Sequence, residues 1–195
     1  MEAAAVIELL KQTEAFQNGH FLLSSGMHSP QYVQCALLLQ HPVHAATVGS
    51  ALADRFRALR PQVVIGPAYG GMIIAHEVAR ALGGRALFAE RMEGKFELRR
   101  SFSLTSGERV LLVEDVVTTG AATREVKRLA ERLGGVVVGI GAIVDRSAGP
   151  LGFDCRFDAL ASIEAPAFIP GMCELCRQGN PLIKPGSRPS PAFVR

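Results

Sequence analysis

Cysteine is scarce in this sequence, with four among 195 residues, at positions 35, 155, 173 and 176. So few, so unevenly placed, exclude a disulfide framework and point to a reducing compartment. Charge of one sign is scarce too. The formal net charge is only +3, and without a long run of like charges the chain does not read as a general nucleic-acid binder, so an anionic partner is expected to be small. No stretch is long and uncharged enough to cross a bilayer. The opening segment MEAAAVIELLKQTEAF has no basic start and carries Glu2 and Glu8, which makes it an amphipathic helix rather than a signal peptide. The Gly-Lys-Ser/Thr ending of a Walker loop and the Gly-x-Gly-x-x-Gly dinucleotide fingerprint are both missing, and no internal repeat is present. A cytoplasmic protein with no membrane and no nucleic-acid partner is the expectation that remains.

What is present is apolar and ordered. Hydrophobic residues make up 48% of the chain and charged ones 20%, enough for one well-buried core, so residues 1–195 are read as a single domain. Runs rich in valine and isoleucine at 63–67, 86–90, 109–115, 136–145 and 156–163 are apolar on both faces, as central parallel strands are. Between them, 70–82 and 120–133 are helical; in the second, Ala122, Val126, Leu129, Ala130 and Leu133 share one stripe. The alternation predicts an α/β fold with an open, mostly parallel sheet flanked by helices and a ligand crevice beyond the carboxyl ends of the strands. Residues from about 1 to 40 are expected to form a small N-terminal hood, and the Pro- and Gly-rich stretch 165–195 an irregular C-terminal tail.

The segment VLLVEDVVTTGAATREV, 110–126, lies at such a strand end. A helix N-terminus presents unpaired N–H groups, so TTGAAT can cradle a phosphate without basic side chains: Gly120 and Ala121 allow close approach, and Thr118, Thr119 and Thr123 add hydroxyls. Glu114 and Asp115 would repel that phosphate, and they make sense if the same ligand also carries a diol or a metal ion nearby. Ribose 5-phosphate has that arrangement. Alone, the Thr-Gly turn is equally an ordinary capped helix.

The full string is more specific. Four apolar residues, two acids, two apolar residues and Thr-Thr-Gly resemble the phosphoribosyl-diphosphate (PRPP) signature of the type I phosphoribosyltransferases. Three further segments are similar to orotate phosphoribosyltransferases: GHFLLSSGMHSPQYVQ, through Phe21, Leu23, Ser25, Gly26, Ser29 and Tyr32; IGPAYGGMIIAHEVARAL, like their diphosphate loop; and VDRSAG, like their Asp-Arg element.

The resemblance implies the type I phosphoribosyltransferase fold and a pentosyltransferase reaction. Ribose 5-phosphate passes from PRPP to orotate, giving orotidine 5′-monophosphate and diphosphate in pyrimidine (UMP) biosynthesis, with Mg²⁺ as cofactor. It places PRPP on Glu114, Asp115, Val116, Val117, Thr118, Thr119, Gly120, Ala121 and Ala122, and on Ala68, Tyr69, Gly70 and Gly71, with a cis peptide at Ala68-Tyr69. It places orotate on Thr118 and Arg146, and catalysis on Asp115, Glu114, Arg91 and Lys95. A homodimer is implied, with a basic loop shared across the subunit interface; Arg91 and Lys95 carry over only in part, since Met92 follows Arg91. Gly70 and Ser24 stand where the family commonly has lysines.

Each segment also has a plainer reading. GPAYGG is a glycine-rich turn, Arg146 a strand-end arginine, Ser24, Ser25 and Tyr32 turn and core residues, and ERMEGKFELRRSFSLTSGE a solvated loop or hairpin. Two other functions keep the signature: a purine-type phosphoribosyltransferase, and a non-catalytic PRPP-sensing regulator. CELC at 173–176 has zinc-ligand spacing without a second pair in sequence; Cys155 or a histidine would have to complete it in space. A structural or incidental pair is preferred, and no side chain is assigned to a metal.

Overall fold

The computed structural model describes residues 1–23 and 25–185. Helix α1 (Ala3–Gln12) leads into the strands β1 (Phe16–Leu22) and β2 (His28–Val33), then α2 (Cys35–Leu39) and α3 (Pro42–Phe56). From there strand and helix alternate: β3 (Val63–Pro67), α4 (Gly70–Leu82), β4 (Arg85–Met92), β5 (Lys95–Glu97), β6 (Arg109–Val117), α5 (Ala121–Arg132), β7 (Val136–Asp145) and β8 (Phe157–Ser162), with a short α6 (Glu174–Arg177) beyond. Local chemistry sets the ends. Pro42 opens α3, where its missing N–H leaves no bond unmade, and α4 stops at Gly83, which takes the left-handed cap at φ +73°.

The main sheet has six strands in the order β5-β4-β3-β6-β7-β8. All neighbours are parallel except β5, which folds back antiparallel on β4. From β3 the chain crosses to β4 on one side, and from β6 it proceeds to β7 and β8 on the other. The order therefore reverses between β3 and β6, where a crevice opens beyond the strand ends.

The register sharpens that crevice. β3 pairs with β6 from Val63↔Val110 to Ile65↔Leu112 only, whereas β6 stays paired with β7 to Val117↔Asp145. Beyond Leu112 one edge of β6 faces the β3–α4 turn instead of a strand. The strand thus runs two positions past the 109–115 read from the sequence, and the acids lie inside it.

Alternation along β6 sends Leu111 and Val113 into a core with α1 to α4, and Val110 and Leu112 into a second core with α5. Each buried Leu, Ile or Val stabilises by roughly 1.5–3 kcal/mol, so both faces are needed to hold the sheet. The expected hood is divided. Val6, Leu10, Cys35 and Leu38 of α1 and α2 join the first core, while β1 and β2 pair as a separate two-stranded sheet. Their pairing is antiparallel, with an irregularity between Asn18 and Phe21. The polar run 90–108 begins as the β4–β5 hairpin.

Candidate active site

Two turns and three strand ends surround the crevice. On the β3 side the chain leaves Pro67, passes a cis Ala68–Tyr69 peptide and enters α4 at Gly70. The Ala68 N–H is taken by Ala89 O at 2.8 Å, which pins the turn to β4, and Tyr69 projects into solvent, 84% exposed. Gly70 lies against Asp115: a Cβ at this position would sit 2.5 Å from Asp115 Oδ2. No side chain, lysine included, fits between them without moving one of them, which accounts physically for glycine at this point.

On the β6 side, Thr118 and Thr119 are exposed and Gly120 turns the chain at φ +69° into α5. The Ala121 N–H reaches only the Thr119 hydroxyl, at 3.4 Å, so the first amides of α5 point outward with little internal competition, as an anion cradle requires. Arg124, unmarked in the sequence, holds this turn. It donates to Thr119 O at 2.6 Å and to Leu151 O at 2.8 Å, and it lies over the Phe153 ring. Val117 is buried and Val116 packs against the core under α1 to α4; these two serve as spacers.

Between the turns stand the acids. Asp115 Oδ1 accepts the Val116 N–H at 3.0 Å. Glu114 Oε2 is buried with no partner. Burial, and secondarily the neighbouring Asp115 charge, pushes the Glu114 carboxyl up to about 9. Burial also raises Asp115, partly offset by the Val116 N–H. Both groups resist ionising alone and are primed for positive charge or hydroxyl donors; their hard oxygen atoms suit Mg²⁺.

The third strand end brings Arg146. Its N–H donates to Val117 O at 2.8 Å and its guanidinium reaches Gln31 O of β2 at 3.3 Å, while Nε is buried without a partner. Burial lowers its pKa. Tyr32 stands close to Asp115 and Arg146; burial first and Asp115 second raise its phenol. Of the N-terminal candidates, Tyr32 therefore belongs to the crevice wall, Ser25 is a turn residue accepting from Met27 N–H, and Ser24 lies outside the described residues. Cys35, also unmarked, directs its thiol to Asp115 O at 3.8 Å.

Arg91 and Lys95 are not brought to the crevice within the chain. Arg91 pairs with Glu125 of α5 at 3.0 Å, bonds Gly94 O and stacks on Phe96; Lys95 sits exposed opposite Met92 on the sheet's edge strand.

The raised Glu114 has a measurable consequence. Near pH 4 both folded and unfolded chains hold its proton; above that the unfolded chain ionises first, so the residue increasingly favours unfolding until the pH reaches its folded value. At pH 7 the ceiling is about 3 kcal/mol, and water in the crevice reduces it to about 1–2 kcal/mol. We expect Glu114→Gln to raise the melting temperature of the ligand-free protein by a few degrees at pH 7–8, with the gain fading toward pH 4 in calorimetry. A gain independent of pH would contradict it.

A reversed parallel sheet with carboxylates between two helix-opening turns at its switch point is the architecture of a phosphoribosyltransferase, and the model of the phosphoribosyl transferase domain matches residues 36–154. The relatives resolve the class further. The chain is 49% identical over 188 residues to the orotate phosphoribosyltransferase of Caldanaerobacter subterraneus, covering 96% of this chain and 99% of that one. It is 50% identical over 178 residues to that of Thermus thermophilus, covering 91% and 97%. The crystal structure of orotate phosphoribosyltransferase from Aeropyrum pernix superposes with a TM-score of 0.70 at 25% identity, over 81% of this chain and 93% of that one. The chain belongs to the orotate phosphoribosyltransferase family.

Proposed function

We infer that the protein transfers the 5-phosphoribosyl group of PRPP to orotate, releasing diphosphate and forming orotidine 5′-monophosphate, a step of pyrimidine nucleotide synthesis. One observation carries the inference. Among the described residues the buried side-chain polar atoms without a partner are Glu114 Oε2 and Arg146 Nε, and both belong to this crevice. Native proteins rarely leave such atoms unsatisfied; here a carboxyl group awaits the hydroxyls or cation that would let it ionise, and a guanidinium awaits an acceptor.

The proposed roles follow from position. The α5 amides at Ala121 and Ala122, with Gly120 and the hydroxyls of Thr118 and Thr119, hold the 5-phosphate, Val116 and Val117 setting their distance from the acids. Glu114 and Asp115 accept from the ribose hydroxyls. Amides of Tyr69, Gly70 and Gly71 face the diphosphate, whereas Ala68, whose N–H is spent on Ala89 O, anchors the turn and offers no amide to it; Arg146 with Thr118 holds the orotate carboxylate or a ring carbonyl. As the C1–O bond lengthens and N1 of orotate closes on C1, positive charge grows on the ribose beside the two carboxylates. Negative charge grows on the diphosphate at the turn amides. Fixed dipoles and charges aimed at both ends lower the barrier without a covalent nucleophile. Mg²⁺ bound by Glu114 or Asp115 oxygens and the substrate would neutralise charge on the leaving diphosphate.

The chain is proposed to act as one domain, with residues of 1–40 contributing to its hood and 165–185 belonging to an irregular C-terminal tail, whose expected remainder, 186–195, lies outside the described residues. A homodimer is proposed. β5 is one of the sheet's two edge strands, the β4–β5 hairpin carries Arg91 and Lys95 away from their own crevice, and an apolar groove lined by Met72, Ile73, His76, Ala86, Leu87 and Phe88 lies along α4 and β4. A partner there would receive the hairpin's cations at its diphosphate. Four free thiols fit a reducing cytoplasm. No helix among the described residues is long and apolar enough to cross a membrane.

Steady-state assays with PRPP, Mg²⁺ and orotate, adenine, guanine or xanthine test the reading. Orotate alone should be consumed, and Arg146→Ala should raise its KM about 10- to 100-fold while changing that of PRPP little. Turnover of a purine with orotate inert would refute it.

A further inference from the structure

We propose that His20, His28, Cys173 and Cys176 form a closed Cys₂His₂ site for a structural Zn²⁺ that clamps the C-terminal segment to the β1–β2 hairpin. The four residues come from opposite ends of the chain, yet their ligand atoms all lie within 4.8 Å of one another. His20 Nε2 is 3.0 Å from His28 Nδ1, 3.4 Å from Cys173 Sγ and 3.6 Å from Cys176 Sγ, and Cys176 Sγ is 3.3 Å from His28 Nδ1. A tetrahedron with Zn–N and Zn–S bonds of ordinary length has edges of roughly 3.3–3.8 Å, close to these separations. The spacing of the histidines follows from the hairpin: Leu22 pairs with His28, so His20, two residues earlier, stands diagonally across on the same face.

Proton accounting favours a cation over a hydrogen-bond cluster. His20 Nδ1 lies 2.9 Å from Asn180 O, and a carbonyl only accepts, so Nδ1 carries the proton. In the neutral ring Nε2 then has a single lone pair, directed at the centre. Three neighbours crowd that lone pair, and only one can donate to it well. A metal ion accepts a pair from each of the four atoms at once. The Asn180 bond is also the kind of outer contact that fixes the tautomer of a ligating histidine. Cys173, His20 and His28 are 1%, 3% and 5% exposed, a costly burial for polar groups left half-satisfied. Four protein ligands leave no open position, which marks a structural centre rather than a hydrolytic one.

The clamp has a place in the fold. Phe168 exchanges backbone bonds with His28 at 2.7 and 2.8 Å, and Ile183 bonds to His20 and Leu22 on the other edge, each at 2.8 Å. The tail so embraces the hairpin, and the ion would lock it there. Because β2 also presents Tyr32 and the Gln31 carbonyl to Arg146, the ion would steady the wall against the base; this last step rests on the orotate reading, whereas the metal site does not.

The test is metal content of the full-length protein purified without chelator, with cobalt reconstitution of chelator-stripped protein. We expect about one zinc per chain, visible ligand-field bands of tetrahedral Co²⁺ with near-ultraviolet thiolate charge transfer, and loss of at least nine-tenths of the metal in Cys176→Ser and His28→Gln but not in Cys155→Ser. If the variants fail to fold, zinc release from native wild type on thiol modification gives the same information. Stripped protein should also show an orotate KM raised at least fivefold with the PRPP KM little changed; an inert protein that still holds zinc would refute the substrate reading and leave this one standing. Folded wild type that lacks zinc and gives no cobalt spectrum, or zinc retained by Cys176→Ser, would overturn the proposal.

Discussion

Asp115→Asn is expected to lower kcat about 10²- to 10³-fold with folding retained. The carboxylate lies on the α4 side of β6, with Gly70 so close that a Cβ would overlap it, and it accepts one backbone N–H. Asparagine keeps the shape and that hydrogen bond but presents no negative charge to a ribose that becomes cationic as its bond to diphosphate breaks. The loss should fall on kcat more than on KM, because the charge interaction strengthens only as the transition state forms. Burial already raises this carboxyl, so the substitution should not weaken the ligand-free fold. A variant with near-normal kcat, or one that unfolds, would show that Asp115 has another role.

Gly120→Val should weaken PRPP binding at least about 100-fold, while also lowering stability. Gly120 holds φ +69°, and its Cβ would come within 2.8 Å of Phe153 and 3.2 Å of Arg124 and Leu151. A left-handed conformation costs an L-residue about 1–2 kcal/mol, and more when it is β-branched. The chain would relieve this by shifting the turn, and the amides of Ala121 and Ala122 would lose their common aim. Isothermal titration with PRPP and Mg²⁺ measures the loss; intact affinity would place the phosphate elsewhere. Thr118→Ala, which deletes a hydroxyl and leaves the amides in place, should cost far less.

Much of the site is legible along the chain because its parts are local. A strand, two acids and a helix-opening turn occupy one continuous segment, and each piece has a chemical signature at short range: β-branched residues for the buried strand, glycine for the reversal, unpaired amides for the anion. The same is true of the β3–α4 turn and of Arg146 at the end of β7. The hairpin β1–β2 was harder to read. It contains Gly19, Pro30 and two buried histidines, so apolar alternation is weak, and its partner strands are held partly by Phe168 and Ile183 from the far end of the chain.

Sequence alone determined the α/β class, the helix 70–82, the strands 63–67 and 136–145, and the chemical character of the crevice, since hydrophobic period and turn chemistry act between near neighbours. Tertiary structure alone decided the rest. It extended β6 beyond β3 so that one edge opens, set Gly70 against Asp115, turned Arg91 onto Glu125, and gathered His20, His28, Cys173 and Cys176. Those arrangements join residues tens to more than a hundred positions apart, and no local propensity encodes them; they follow from which faces of the strands and helices must be buried against one another.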